Sequence, residues 1–393
     1  MMRLSLAQFL SHYPKPGGTT NSVSSLSRAI VRLGHQVVIY TYVPQGQTEG
    51  REMESPEGVK VVHFRGNTWN PLHAPDDMRA RLLRNEDKID VLVINGQFNP
   101  PTAGVAKAAT EAAIPYVVCP RGAYHPALLR KRRLRKFVYG RIFERPLLRR
   151  ASAVHVLAEE HKGFLFDFAG PVPAFAVPNG FNPEEVPEID REGTPSGGGD
   201  RATPNLLYLG RLDTYVKGLD LLLEALSIGM HDGKLPSSLR LDLVGADRRG
   251  DRRKLELLAD RLRISRNLRF LGRTPAPNRW NAILSYDLLV LPSRHDAFAT
   301  AVLEAMVLAK PVIVSEQAGV SFFVRDAQCG YLVQPNPASI CAGLVRAIET
   351  RDQWRSMGDR GRAFAYEHLT WEKVAERVVH SLEQVLGRAR ATA

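Results

Sequence analysis

The chain has 393 residues, more than the roughly 250–300 at which a single hydrophobic core stops growing, so two domains are expected. Its 44% hydrophobic and 24% charged residues exclude a disordered or fibrous protein, and no apolar run reaches the ~20 residues of a membrane-spanning helix. The formal charge of +12 is uneven: Leu129–Arg150 holds ten Lys or Arg and one acid, Glu144. Three cysteines, Cys119, Cys329 and Cys341, are odd in number and match no metal motif. Reduced thiols, a cytoplasmic location and no structural zinc are the expectation. The opening residues lack a signal-peptide core with a small-residue cleavage site and read as a first strand.

Strands and helices then alternate. Arg3–Phe9 reads as a strand, and Val23, Leu26, Ile30 and Leu33 recur at helical spacing before Gly34 ends that helix. Gln36–Tyr42, Val59–Phe64, Asp90–Asn95 and Tyr116–Pro120 are short apolar strands. Near-continuous apolar strands between helices predict a parallel sheet covered on both faces. From Asn182 to Pro204 the periodicity stops and Pro, Gly and acids dominate, as in an interdomain linker. The alternation restarts with strands at Asn205–Gly210, Leu239–Gly245, Asn267–Gly272, Asp287–Pro292 and Pro311–Glu316. Helices fall at Asp220–Gly229, Lys254–Arg263 and Trp371–Leu386. The fold class is α/β: two doubly wound domains, 1–184 and 205–371, joined by 185–204, with helix 372–393 returning to the first. Ligands of such sheets bind at strand carboxyl ends, so a cleft between facing domains is the expected site.

Two segments carry chemistry. In GRLDTYVKGLD, Gly210–Asp220, the cations Arg211 and Lys217 follow a strand end. They suit a diphosphate clamp that stabilises a departing nucleotide, or they are solvated cations beside a Gly turn. In SRHDAFATAVLEAM, Ser293–Met306, Asp296 lies in a loop and Glu304 in the helix that follows it. The backbone N–H groups around Phe298, Ala299, Thr300 and Ala301 make a phosphate seat at a helix N-terminus, with two carboxylates beside it for sugar and ribose hydroxyls. The plainer reading is an acid at a helix dipole and a surface Glu.

These residues resemble the signature of the family-4 retaining glycosyltransferases, whose fold is GT-B. Gly17-Gly18 with Gly34-His35, VPNGFN at Val177–Asn182, and CGYLVQP at Cys329–Pro335 resemble further family elements in the same order. The resemblance covers almost the whole chain. It implies a retaining transferase that moves a sugar from a nucleotide-sugar to a hydroxyl acceptor, with no bound metal or other cofactor. By position it implies that Arg211 and Lys217 hold the diphosphate, Glu304 the ribose and Asp296 the transferred sugar. Phe298, Ala299 and Thr300 line the donor site, and Gly17 and Gly18 admit the donor without a Cβ clash. The chain departs from the family at Asp296, where Glu is usual. Ala297, Ala299 and Ala309 replace glycines, and Asn182 replaces Asp. A pocket shaped for a different sugar is expected; a nucleotide-binding protein with weak or lost activity, or an epimerase, is the alternative. Asn95, Arg121 and His125 are the acceptor-side candidates, because relatives often carry a His at such strand ends; His125 joins Asp296, Arg211 and Lys217 as a candidate catalytic residue.

In the basic segment Leu134, Phe137, Val138 and Ile142 recur at helical spacing. A basic amphipathic helix suits an anionic surface, the inner face of a cytoplasmic membrane in particular, or is a solvated helix on the first domain. Nucleic acid is not an expected partner, since no zinc finger, helix-turn-helix or aromatic interleaving accompanies the charge.

Overall fold

The computed structural model describes residues 3–11, 13, 17–43, 52–65, 72–122, 124–130, 133–188, 203–273 and 279–392. The chain divides into two compact units, residues 1–180 with 371–393, and residues 181–370. The divide falls after Gly180 because Phe181 turns to the second unit: its N–H donates to Leu369 O at 3.0 Å and its ring meets Tyr366. Most of the expected linker, 189–202, lies outside the described residues.

Among the described residues the first unit holds eight strands: β1 Ser5–Phe9, β2 Gln36–Tyr42, β3 Glu52–Glu54, β4 Lys60–Phe64, β5 Val91–Asn95, β6 Tyr116–Cys119, β7 Ala153–Val156 and β8 Ala174–Ala176. Their order is β3-β4-β2-β1-β5-β6-β7-β8, parallel except for β3, which runs antiparallel at the edge. The strands β3, β7 and β8 were not expected; each is short, and β3 is exposed and carries two glutamates. Period-two alternation splits every inner strand between two cores. Val38, Tyr40 and Tyr42 of β2 join Phe9, Leu92 and Ile94 on one face. Val37 and Ile39 join Leu6, Val91 and Val93 on the other. Helix Gly18–Arg32 covers that second face with Val23, Leu26 and Ile30. The final helix, Trp371–Thr392, joins it through Trp371, Val374, Val378, Leu382 and Leu386, spaced one helical turn apart.

The second unit has six parallel strands: β9 Asn205–Leu209, β10 Arg240–Val244, β11 Leu268–Gly272, β12 Leu288–Leu291, β13 Val312–Ser315 and β14 Gly330–Val333. Their order is β11-β10-β9-β12-β13-β14. The chain winds outward from β9 through β10 to β11, then returns to place β12 on the other flank of β9. That reversal between β9 and β12 is a topological switch point, where neighbouring loops leave the sheet in opposite directions and open a crevice. The first unit has its own between β1 and β5.

Candidate functional site

Both segments of the second unit in which the sequence places candidate site residues leave this switch point. Gly210–Asp220 follows β9, and Ser293–Ala299 follows β12. The two loops are laced together. Arg294 N–H donates to Val216 O at 3.0 Å, and Gly218, at φ +64°, sits so close that a Cβ would lie 2.2 Å from Pro292 O. Only glycine combines that dihedral with that approach. Asp213 shapes the turn, its carboxylate accepting from Val216 N–H at 2.9 Å and its carbonyl from Lys217 N–H at 3.0 Å.

This lacing brings two expected residues into contact: the Lys217 ammonium pairs with the Asp296 carboxylate, both side chains 13% exposed. Arg211 is exposed, and among the described residues no carboxylate pairs with it. Beneath it the buried Tyr208 hydroxyl donates to Arg211 O at 2.6 Å, which fixes the backbone that carries the cation. A second pair had no sequence signal. Arg294 binds Asp220 in a bidentate fork at 2.7 and 2.8 Å and lies over the Tyr215 ring. Arg294 therefore braces the loop that presents Lys217.

The helix after the loop is Thr300–Val307. The expected row of free N–H groups is partly used internally: Thr300 donates to Phe298 O at 3.0 Å and Val302 to Ala299 O at 2.9 Å. Phe298 and Ala299 are buried, and Phe298 meets Phe323 edge-on. Those two residues thus form the wall under the loop. Glu304 is 9% exposed, and its carboxylate accepts from Arg279 Nε at 2.5 Å. Burial pushes its carboxyl up to about 7 against the pull of Arg279. Arg279, 25 residues upstream, was invisible in the sequence. Ala309 closes the helix at φ +54°, the left-handed position that glycine favours, with Lys310 N–H returning to Ala305 O at 2.8 Å.

In the first unit, Asn95 and Arg121 are joined. Asn95 is fully buried at the end of β5; its amide donates to Phe9 O at 3.2 Å and its carbonyl accepts from Arg121 Nε at 2.9 Å. Arg121, at φ +54°, also reaches Asn179 Oδ1 at 3.1 Å, a partner within the Val177–Asn182 motif. These three residues tie together the ends of β5, β6 and the segment after β8. His125 goes elsewhere. Its ring lies edge-on to Phe164 at 4.7 Å and its carbonyl accepts from Leu128 N–H, so it starts the short helix Pro126–Arg130. Gly17 is extended and Gly18 begins its helix, and a Cβ on either would meet nothing within 4 Å among the described residues. Gly34-His35 is structural: the buried His35 Nδ1 accepts from Leu4 N–H at 3.0 Å, and burial lowers its pKa.

The basic segment is not one regular helix. It runs as Arg133–Tyr139, widens to a π turn at Gly140–Glu144, and resumes as Arg145–Arg150. Leu134, Phe137, Val138 and Ile142 are 78%, 59%, 47% and 57% exposed. The lone acid turns inward: Glu144 is fully buried, accepting from Phe98 N–H at 3.1 Å and from the Tyr124 hydroxyl at 2.8 Å. Among the described residues no helix is long and apolar enough to cross a membrane.

Two doubly wound α/β units, the second with cations gathered at its switch point, define the architecture of the GT-B glycosyltransferases. The model named Glycosyl transferases group 1 matches residues 197–364, and the Glycosyl transferase 4-like domain matches residues 17–180. The chain belongs to this glycosyltransferase family. It is 32% identical over 178 residues to D-inositol 3-phosphate glycosyltransferase of Geodermatophilus obscurus, covering 44% of this chain and 39% of that protein. Against phosphatidyl-myo-inositol mannosyltransferase of Mycobacterium leprae it is 28% identical over 213 residues, 54% of each chain. The matches therefore span about two fifths to just over half of these curated relatives. HepE of Anabaena, solved in complex with UDP-glucose, superposes with a TM-score of 0.72 at 18% identity over 96% of this chain and 99% of that one.

Proposed function

We propose that the protein is a retaining glycosyltransferase that moves a sugar from a nucleotide-sugar to a hydroxyl acceptor without a metal. The observation that carries this reading is the Lys217–Asp296 pair at the β9/β12 switch point, with the exposed Arg211 on the same loop after β9. A diphosphate entering there exchanges Asp296 for its own oxygens at Lys217 and adds Arg211, so the clamp matches the charge that grows as the nucleotide departs. The bond from the anomeric carbon to the diphosphate oxygen breaks. The acceptor oxygen bonds to the same face of that carbon, and its proton passes to the departing phosphate oxygen. Asp296, released from Lys217, is placed to accept hydroxyl hydrogen bonds from the transferred sugar, and Glu304 those of the ribose. The family membership and the nucleotide-sugar bound in HepE support the donor class.

The acceptor is proposed to be a polysaccharide intermediate, a lipid-linked glycan or a natural product, held by the first unit beside Asn95 and Arg121. His125 remains an acceptor-side candidate, on the rim near Phe164 rather than joined to Arg121. The exposed apolar side chains within the basic segment support peripheral attachment to an anionic membrane surface. The name of the mycobacterial relative, a phosphatidylinositol mannosyltransferase, agrees with a membrane acceptor.

A panel of GDP-, UDP-, dTDP- and ADP-sugars, scored by thermal shift and then by nucleotide release with acceptor extract, tests the reading. One donor class stabilising the protein and turning over is the expected result. Stabilisation without turnover under any acceptor extract favours the binding-protein alternative, and no stabilisation by any donor overturns the proposal.

A further inference from the structure

The basic segment does more than present charge. It roofs a pocket of about 370 Å³, lined by Pro126, Leu129, Arg133, Lys136, Phe137, Arg145 and Phe168. Three of these are cations and none is an acid, because Glu144, the segment's acid, is turned into the core. Arg145 is the most telling of them. Its guanidinium lies over the Phe168 ring at 5.2 Å, and its Nε is buried with no hydrogen-bond acceptor among the described residues. The Phe168 ring shields that nitrogen, so the guanidinium meets the pocket through its other donors, which suit an oxyanion. Lys136 is held at the same wall, its ammonium on Leu128 O at 2.6 Å and over the Phe98 ring. The π turn Gly140–Glu144 separates these two cations along the segment, and a Cβ on Gly140 would lie 3.1 Å from the Phe168 ring that floors the pocket. π turns of this kind recur at functional sites.

We infer that this pocket binds the phosphate head group of an anionic lipid, with the part-buried Arg145 as the anchor, Arg133 and Lys136 at its sides, and the acyl region against Phe137, Leu134, Val138 and Ile142. The polarity of the site identifies the ligand: a compact anion for the cations, joined to an apolar body for the 47–78% exposed side chains next to them. A free phosphate would leave those side chains in water, and a purely apolar ligand would leave the three cations of the pocket without a counter-anion. The inference rests on the proposed membrane contact for the source of its ligand. It adds a discrete, saturable site to what is otherwise a charged surface.

The test uses the full chain and dihexanoyl phosphatidate as a monomer, followed by calorimetry, with flotation on phosphatidylcholine vesicles with and without phosphatidate. One molecule should bind per chain, glycerol 3-phosphate and dihexanoyl phosphatidylcholine should bind more weakly, and Arg145→Gln should weaken phosphatidate about tenfold, as loss of one charge-assisted hydrogen bond implies. Arg133→Gln, at an exposed position, gives a second reading should Arg145→Gln disturb folding. The inference is overturned if both variants bind like the wild type, or if glycerol 3-phosphate binds as tightly as the amphiphile. Flotation separates the two ideas. If Arg145→Gln floats like the wild type while Arg141→Gln, outside the pocket, does not, the membrane contact stands and the pocket site fails. A wild type that ignores phosphatidate vesicles yet binds the soluble lipid sinks the membrane contact and keeps the pocket.

Discussion

Lys217→Ala is the sharpest test of the proposed chemistry. Lys217 is paired with Asp296, both mostly buried. Removing the ammonium strands a carboxylate in the crevice and costs a few kcal/mol at most, in the range of about 3–5 for a fully buried pair and less here, where both groups keep some solvent. In the transition state the loss is different. A charge-assisted hydrogen bond to a departing diphosphate in a water-poor crevice contributes about 3–4 kcal/mol, so kcat/KM should fall roughly 100- to 1,000-fold. Asp296→Asn, which keeps size and removes charge, separates the two effects. If the clamp acts through the diphosphate, Lys217→Ala with Asp296→Asn regains stability over Lys217→Ala alone without regaining turnover. Nucleotide release measured over a range of donor concentrations, from well below KM to saturation, and thermal unfolding of all three variants supply the numbers. Turnover of Lys217→Ala within about threefold of the wild type would refute the clamp, since that is less than 1 kcal/mol of barrier.

Other consequences follow from single positions. Gly218→Ala places a methyl 2.2 Å from Pro292 O at a left-handed dihedral, so it should lower the unfolding midpoint and abolish donor-induced thermal shift; an unchanged midpoint would deny the lacing of the two loops. Ala309→Gly relieves the left-handed alanine and should stabilise by about 1 kcal/mol, a rise of roughly 2–4 °C in calorimetry for a unit of this size. Glu144, raised from 4.5 to about 7 by burial against the hydrogen bonds from Phe98 and Tyr124, binds its proton more tightly folded than unfolded. Its contribution is complete below pH 4.5 and is lost as pH rises through 7, up to about 3 kcal/mol in all. Unfolding midpoints measured from pH 4.5 to 8 should therefore fall less steeply in Glu144→Gln than in the wild type, and parallel profiles would exclude a buried proton there. Glu304→Gln should flatten the same window for the second unit, since its carboxyl is also held near 7.

Much of the fold was legible in the chain because it is written in local periodicity. Strands such as Gln36–Tyr42 and Val91–Asn95 are apolar over most of their length, and their alternation feeds two cores, which is what a sheet covered on both faces demands. The strands that escaped notice, β3, β7 and β8, are three or four residues long, too short to show a period. Arg211, Lys217, Asp296 and Glu304 were singled out through motif order, since each lies in a loop after a strand end or in the helix that follows it. Their partners were not. Arg279 with Glu304, Arg294 with Asp220 and Asn179 with Arg121 are joined across 25, 74 and 58 residues, and nothing local announces such pairs.

Residue types and their spacing thus determined the fold class and singled out the side chains proposed to carry chemistry, because strand alternation, helical spacing and glycine placement act between near neighbours. Sheet order was decided only in the tertiary structure. By placing β12 beside β9 it set Asp296 on Lys217, and by turning Glu144 inward it left Arg133, Lys136 and Arg145 around one pocket. Those contacts depend on which strands become neighbours, a choice made by the packing of whole faces rather than by any one segment.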